Sequence, residues 1–448
     1  MQRVLLIAPP FYRLMGSHYE GLHIGIAYIA AVLKEQGHYV KVYNADHEDS
    51  PNYANLRHLF ESSTSYKAIL ADLAHPIWRE VKDKIASFAP DIIGITMFTA
   101  NYKAAKIIAM LSKTVDPDVK IVVGGSHPTL DPEETVAQEE FDYVIRGEGE
   151  FSFLELVEGR ECEDITGLSW KKEGKVIHNE SRPFISDLDK LPFPSRDSFL
   201  NNTNYSEMGY LITGRGCPFS CAYCASPRIW QRIVRFRSVQ NVIEELRYLK
   251  ERFNPPVIRL VDDTFNLNRF RTREICQQII DEGLDLKWVC EARVDNLDEE
   301  LVSLMVEAGC TRIKIGAESG SDRILKMVNK GFTTETIHRG VAIIKKFQLP
   351  LTVYLMVGFP GETNEDLRQT IKLAEELDAD YYSVSVLAPY YGTHIWEMMQ
   401  ESGEEIDKEH WEYFYHQSQE MIVNSNLDPA IVSELLALNE REGRSRRA

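Results

Sequence analysis

The run Gly214-Arg-Gly-Cys-Pro-Phe-Ser-Cys-Ala-Tyr-Cys-Ala225 sets Cys217, Cys221 and Cys224 in a C-x3-C-x2-C spacing. Three thiolates therefore converge on one short loop. Iron–sulfur clusters are held by Cys thiolates, and four iron corners against three local ligands leave one corner open for a substrate or cofactor. Zinc is the alternative, but a structural zinc usually takes four ligands in two Cys or His pairs. No second pair stands nearby.

The loop directly follows an apolar run, Tyr210–Thr213, that opens a series of β/α units. The series recurs about every 30 to 35 residues, a period suited to βαβ construction. Its strands are expected at Tyr210–Thr213, Val257–Val261, Lys287–Glu291, Arg312–Gly316, Thr352–Val357 and Tyr382–Leu387. Six units fit the length and eight do not, so an open (β/α)6 partial barrel is expected. Barrels of this kind place their chemistry where strands end. There stand the cysteine loop, Asp262-Asp-Thr-Phe265, Glu291-Ala-Arg293-Val-Asp295, Gly316-Ala-Glu318-Ser-Gly-Ser321, Gly358-Phe-Pro-Gly-Glu362 and Pro389-Tyr-Tyr-Gly-Thr393. For Asp295, Asp322 and Glu362 the competing role is capping of a helix.

At these residues the chain resembles the radical S-adenosylmethionine (radical SAM) superfamily. The resemblance implies a [4Fe–4S] cluster on Cys217, Cys221 and Cys224, with its open iron chelated by the amino and carboxylate groups of S-adenosylmethionine. An electron from such a cluster cleaves the sulfonium and releases a 5′-deoxyadenosyl radical. Tyr223 takes the aromatic position before the last cysteine. By the same resemblance, Glu318 with Ser319 reaches the ribose hydroxyls, a task suited to a carboxylate acceptor. Arg293 is the expected bidentate partner of the methionine carboxylate. Asp262 and Asp263 face cofactor or substrate, unless one of them holds a helix N-terminus. The turn from Gly358 through Pro360 to Gly361 lets backbone approach the adenine.

Residues 1–150 alternate strand and helix signals, with strands expected at Arg3–Ala8, Tyr39–Tyr43, Asp91–Phe98, Val119–Gly124 and Phe141–Arg146. Continuous apolar strands between helices indicate a parallel sheet covered on both faces, a doubly wound Rossmann- or flavodoxin-like domain. Ligands bind such sheets outside the carboxyl ends of the strands. Pro9, Thr96, Met97, Phe98, Gly124, Gly125, Ser126, Gly147 and Glu148 all fall there. With Gly21–Leu33, Val40–Asp46, Pro90–Ile95 and Arg146-Gly-Glu-Gly-Glu150, they are similar to the cobalamin-binding domain fused ahead of many radical SAM enzymes. The Asp-x-His-x-x-Gly loop of other cobalamin proteins is missing. His18, His23, His38 and His127 stand outside that context and are expected at the surface or in turns, so the cobalt would have no protein nitrogen beneath it. A ligand-free flavodoxin-like domain is the alternative.

Residues 151–204 read as a hairpin, turning at Glu173-Gly174, and a Pro- and Asp-rich linker over Arg182–Asp197; the barrel spans 205–400 and a helical segment 401–448. In that last segment Trp411-Glu-Tyr-Phe-Tyr-His416 is expected to pack against the barrel, a substrate lid being the alternative. The 448 residues include no apolar run long enough for a transmembrane helix. The apolar start is too short for a signal peptide, so a cytoplasmic address is expected. A net charge of −18 opposes nucleic acid and anionic lipid; only the Arg441–Ala448 tail is basic. Cys162, Cys276, Cys290 and Cys310 have no paired spacing and suit a reducing compartment.

The leading expectation is a cobalamin-dependent radical SAM methyltransferase. An inert C–H carbon has no nucleophilic lone pair; it must become a radical before methylcobalamin can methylate it. An electron donor such as flavodoxin or ferredoxin is implied, and the substrate stays open among small molecule, lipid, tetrapyrrole and peptide side chain. A cyclising or oxidising enzyme of the tetrapyrrole cyclase branch shares both cofactors. An RNA methylthiotransferase needs a second cysteine triad, and residues 1–161 contain no cysteine. A cobalamin- or redox-sensing module is the non-enzyme alternative.

Overall fold

The computed structural model describes residues 1–17, 21–48, 62–201, 205–403, 406–416, 418–421 and 426–440. His18 and the basic tail lie outside the described residues. The chain divides into two compact units, Met1–Glu207 with Asp407–Tyr415, and Met208–Ile406 with His416–Ala448. Among the described residues no helix is long and apolar enough to cross a membrane.

The first unit is built on β1 (Arg3–Ala8), β2 (Tyr39–Asn44), β3 (Ile92–Thr96), β4 (Lys120–Gly124), β5 (Tyr143–Ile145), β6 (Leu168–Lys172) and β7 (Lys175–His178), in the order β2-β1-β3-β4-β5-β6-β7. The first five run parallel. Val4 to Ala8 are all buried, as a strand covered on both faces requires. The chain steps from β1 out to β2 and back past β1 to β3, so the order reverses between β1 and β3, where doubly wound sheets take ligands. The expected connector hairpin instead joins this sheet. β6 pairs antiparallel with β5, Trp170 opposite Tyr143, and covers the edge that five strands would leave open.

The segment Asp407–Tyr415 also belongs here, which corrects the expectation that the aromatic cluster packs on the barrel. The buried Trp411 indole donates from Nε1 to Glu134 at 2.9 Å. Lys408 bonds Asp131 at 3.0 Å and Lys103 bonds Glu412 at 2.8 Å. Tyr415 meets Phe11 edge-on at 5.4 Å. A fully buried indole needs a partner for its N–H, and Glu134 supplies one.

The second unit carries β8 (Tyr210–Leu211), β11 (Ile258–Leu260), β12 (Trp288–Ala292), β13 (Cys310–Glu318), β14 (Leu351–Val357) and β15 (Tyr381–Val386) in one sheet, ordered β15-β14-β13-β12-β11-β8. Every pair is parallel, so all six carboxyl ends share one rim, and β8 and β15 are edges. The sheet is the open (β/α)6 arrangement that the repeat predicts. Helices Val239–Arg252, Arg269–Asp281, Glu299–Glu307, Thr334–Lys346 and Asn364–Leu377 fill the crossovers. Asn439 bonds both the N–H and the carbonyl of Val384 and so covers the β15 edge. A two-stranded ribbon, β9 (Gly214–Arg215) with β10 (Arg235–Phe236), closes the base of the cysteine loop.

Candidate cofactor site

The cysteine loop is held by its backbone. Ala222 donates to Val328 O at 2.9 Å and accepts from Ile395 N at 3.0 Å, so the middle of the triad is pinned on both sides. Gly216 has φ +95°, and a Cβ there would collide with the Ile233 carbonyl; only glycine lets the loop close on itself. Burial pushes the Cys224 thiol up to about 12, against the Ser226 N–H that favours the thiolate, and raises Cys217 as well. Cys221 and Cys217 add to the rise at Cys224, so the three sulfurs feel one another. Among the described residues, however, no three His, Cys, Asp or Glu side chains gather around a point that a single ion would fill.

Glu318 closes the other side of the loop. It sits in left-handed backbone at φ +66°, where the β13 register shifts against β14, and its carboxylate lies over Gly316, which has no room for a Cβ. Lys330 Nζ reaches Glu318 Oε1 at 2.8 Å and the Tyr223 hydroxyl at 3.1 Å. Asp263 accepts from Ser226 Oγ at 3.0 Å, beside the cysteines. These four residues come together with the triad.

Other expected site residues turn away. Asp262 accepts from the Thr213 N–H at 2.6 Å and from its hydroxyl, and so ties β11 to the residue after β8. Ser319 is fully buried, 3.2 Å from the Thr370 hydroxyl, and its Oγ accepts from Ser321 N. The guanidinium fork of Arg293 is closed by Asp295, at 3.0 and 2.8 Å, and lies 3.6 Å over the Phe219 ring. Arg293 thus braces the cysteine loop, and Asp295 is its partner, not a helix cap. Glu362 likewise caps no helix: it accepts from Gly358 N at 2.7 Å and Phe359 N at 3.1 Å, and burial raises its carboxyl to about 7. It shapes the turn that carries Gly358 and Pro360, which line a cavity of about 460 Å³. Asp322 accepts from Thr334 N at 2.8 Å and does serve a helix start.

In the first unit the rim of β1, β3, β4 and β5 gathers Thr96, Phe98, Gly124, Gly125, Ser126 and Gly147, all with some solvent access, while Pro9 and Met97 are buried. Met97 N donates to Gly124 O at 2.7 Å, and Gly147 N donates to Thr129 Oγ1 at 2.9 Å, so three loops are tied into one rim. A Cβ on Gly147 would meet nothing within 4 Å, and on Gly124 only Ile145; these glycines border open space instead of packed protein. Glu148 is different: buried, it accepts from Ile185 N at 2.8 Å and holds the following chain. His127 is also corrected. It is fully buried, with Nδ1 3.2 Å from the Thr99 hydroxyl and its ring edge-on to Tyr102 and Trp411, and burial lowers its imidazole to about 4.

Residues 211–374 match the model of the radical SAM superfamily and residues 16–157 that of the B12 binding domain. An uncharacterized methyltransferase of Pyrococcus horikoshii is 35% identical over 409 residues, covering 89% of this chain and 83% of that protein. The chain belongs to the B12-binding radical SAM family. An anaerobic magnesium-protoporphyrin IX monomethyl ester cyclase of Rubrivivax gelatinosus is 29% identical, over 75% of this chain and 63% of its own length. In fold, the family member resembles the radical S-adenosylmethionine methyltransferase TsrM from Kitasatospora setae, solved with cobalamin and a [4Fe–4S] cluster bound. The TM-score is 0.69 at 19% identity, covering 90% of this chain and 75% of that one.

Two residues of the site escaped the sequence reading. Lys330 stands in no motif; its one signal is that a lysine beside an apolar helix end, Val328-Asn-Lys330, precedes a glycine turn. His416 follows the Asp407–Tyr415 segment, and its carbonyl accepts from Val386 N at 2.7 Å, at the end of β15. Its ring lies 6.0 Å from that of Tyr390. The surrounding protein lowers its imidazole pKa, opposed by Glu318, although the residue keeps contact with solvent.

Proposed function

We propose that this chain is a cobalamin-dependent radical SAM methyltransferase that methylates an unactivated carbon, working in the cytoplasm on a substrate other than nucleic acid. The single observation that carries the reading is the loop of Cys217, Cys221 and Cys224 closed by Tyr223, Lys330 and Glu318, on a chain whose other unit matches the B12 binding domain. When bound, the [4Fe–4S] cluster, S-adenosylmethionine and cobalamin would supply one-electron reduction, hydrogen abstraction and the methyl group, chemistry that side chains lack.

The residues have the complementary tasks. Cys217, Cys221 and Cys224 hold three iron corners and leave the fourth open. Lys330, with two of its three N–H groups given to Glu318 and the Tyr223 hydroxyl, keeps one for the carboxylate of S-adenosylmethionine, and Glu318 is disposed toward the ribose. Gly358 and Pro360 give the adenine a backbone wall. The open glycines Gly124 and Gly147 leave room for a flat macrocycle on the rim of the first unit. Asp263 and His416 are the polar groups available to a substrate.

The test is anaerobic reconstitution with iron, sulfide and cobalamin, followed by S-adenosylmethionine and dithionite. Release of 5′-deoxyadenosine, lost in Cys221→Ala, is expected, together with products heavier by one methyl group in place of hydrogen. The likeness to the cyclase favours one second reading, ring formation, which predicts products lighter by hydrogen. A colourless protein that retains zinc would end both.

A further inference from the structure

The strands of the second sheet alternate. On β12 and β15 every second residue is buried while the others keep partial solvent access, and β11 and most of β13 follow the same rule. A parallel sheet covered on both faces reads as continuous apolar strands, so here one face alone is packed as core. The other face is polar and set in rows by the register: Arg259 and Arg312 flank Val289, Glu291 stands beside Lys314, and Tyr354 beside Ser383. Within the six strands its charged residues are Arg259, Glu291, Arg312 and Lys314, with Glu318 at the carboxyl end already paired to Lys330. Three cations thus share one remaining carboxylate, on a chain of net charge −18. Glu291 accepts from the Tyr354 hydroxyl at 3.1 Å and stays 3.8 Å from Lys314 Nζ, beyond hydrogen-bond reach. The Arg312 guanidinium lies 4.2 Å over the Tyr381 ring; among the described residues no carboxylate pairs with it and its N–H groups donate to no protein atom. A guanidinium laid on a ring keeps its N–H edge for a planar oxyanion. Burial lowers the pKa of Lys314, Glu291 opposes this, and Arg259 and Arg312 lower it further, so the three cations feel one another.

We infer that this face seats an anionic group of the substrate, a carboxylate or a phosphate monoester, on Arg312 and Lys314, with Arg259 adding to the field. Such a site presupposes the radical SAM methyltransferase reading and narrows its substrate class to oxyanion-bearing molecules. A neutral lipid or an uncharged peptide side chain offers nothing to gathered cations, whereas like charges held together on a half-buried face are relieved when a counter-charge arrives. Glu318, assigned above to S-adenosylmethionine, stands four residues further along β13, about 13 Å at strand rise. The anion is therefore held away from the reacting end and serves recognition, not chemistry.

The experiment follows thermal unfolding of the full-length holoenzyme with inorganic phosphate or succinate, against sodium chloride at equal ionic strength. It compares the wild type with Arg312→Gln and with Glu291→Gln/Lys314→Gln. The first change strands no carboxylate and the second removes both members of a pair, so neither leaves a charge uncompensated. Anions excluded from protein surfaces stabilise all three proteins alike; the reading is the excess in the wild type. At ten times the dissociation constant an excess rise in Tm of about 2–4 °C is expected with at least one of the two anions, and at least half of it should be lost in each variant. A rise with phosphate alone assigns a phosphate ester, and with succinate alone a carboxylate. No excess in the wild type, or an equal rise in all three proteins, would overturn the site. A wild type that binds the anion but releases no 5′-deoxyadenosine from S-adenosylmethionine would instead end the radical SAM reading and leave the anion site standing.

Discussion

Lys330 Nζ lies 2.8 Å from Glu318 Oε1 with each side chain only 9% exposed. An ion pair this deep contributes little net stability as a pair, because both charges lose hydration, but removing one partner strands the other. Lys330→Met should cost about 3–5 kcal/mol on that principle, and Lys330→Met/Glu318→Gln should cost less than the single change. Denaturant unfolding of the three proteins checks this; strictly additive losses would show that the two groups are not coupled.

The triad predicts a selective dependence of iron content on cysteine. Cys221→Ala should lose the iron and the brown colour after anaerobic reconstitution. Cys162→Ser, whose thiol is half-buried near Tyr143 and raised by burial, should keep both. Iron and sulfide assays distinguish the outcomes.

Two glycines with left-handed backbone should respond differently to alanine. At Gly216 the methyl meets the Ile233 carbonyl, so Gly216→Ala should distort the cysteine loop and lower iron retention. At Gly147, φ +75° and open space leave only the backbone penalty, about 1–2 kcal/mol. Gly147→Ala should therefore fold and yet bind cobalamin more weakly, which absorbance titration would detect.

Glu362 gives stability a pH signature. Burial raises its carboxyl to about 7 in the folded chain, against about 4.3 when unfolded. Between those values the folded state holds the extra proton, so its contribution is fully present below about pH 4.3 and is lost as pH rises through about 7. Glu362→Gln should remove that slope. Urea midpoints across the window, wild type minus variant, should fall as pH rises; a flat difference contradicts the assignment.

Trp411 ties the segment Asp407–Tyr415 to the first unit. Trp411→Phe keeps an aromatic ring but leaves Glu134 without its indole donor, at a cost of about 1–3 kcal/mol. Trp411→Ala opens a cavity as well, about 3–5 kcal/mol. Thermal unfolding should rank them in that order, and a neutral Trp411→Ala would mean that the segment is not held by this side chain.

The sequence alone determined the alternation of strands and helices, the six-unit count of the second unit and the cysteine loop. Each is written in neighbouring residues: a buried strand needs a continuous apolar run, as Val4–Ala8 shows, and three ligands of one cluster can sit within eight residues. Direction was another matter. Asp262, Ser319, Glu148 and Arg293 look like ligands by position, yet each spends its polar atoms on Thr213, Thr370 and Ser321, Ile185 and Asp295. Lys330 reaches Glu318 and Tyr223, and Trp411 reaches Glu134 across 277 positions. Those choices belong to the tertiary structure. A buried polar group must find a partner, and the partner is whichever the fold brings near, a relation that local periodicity does not carry.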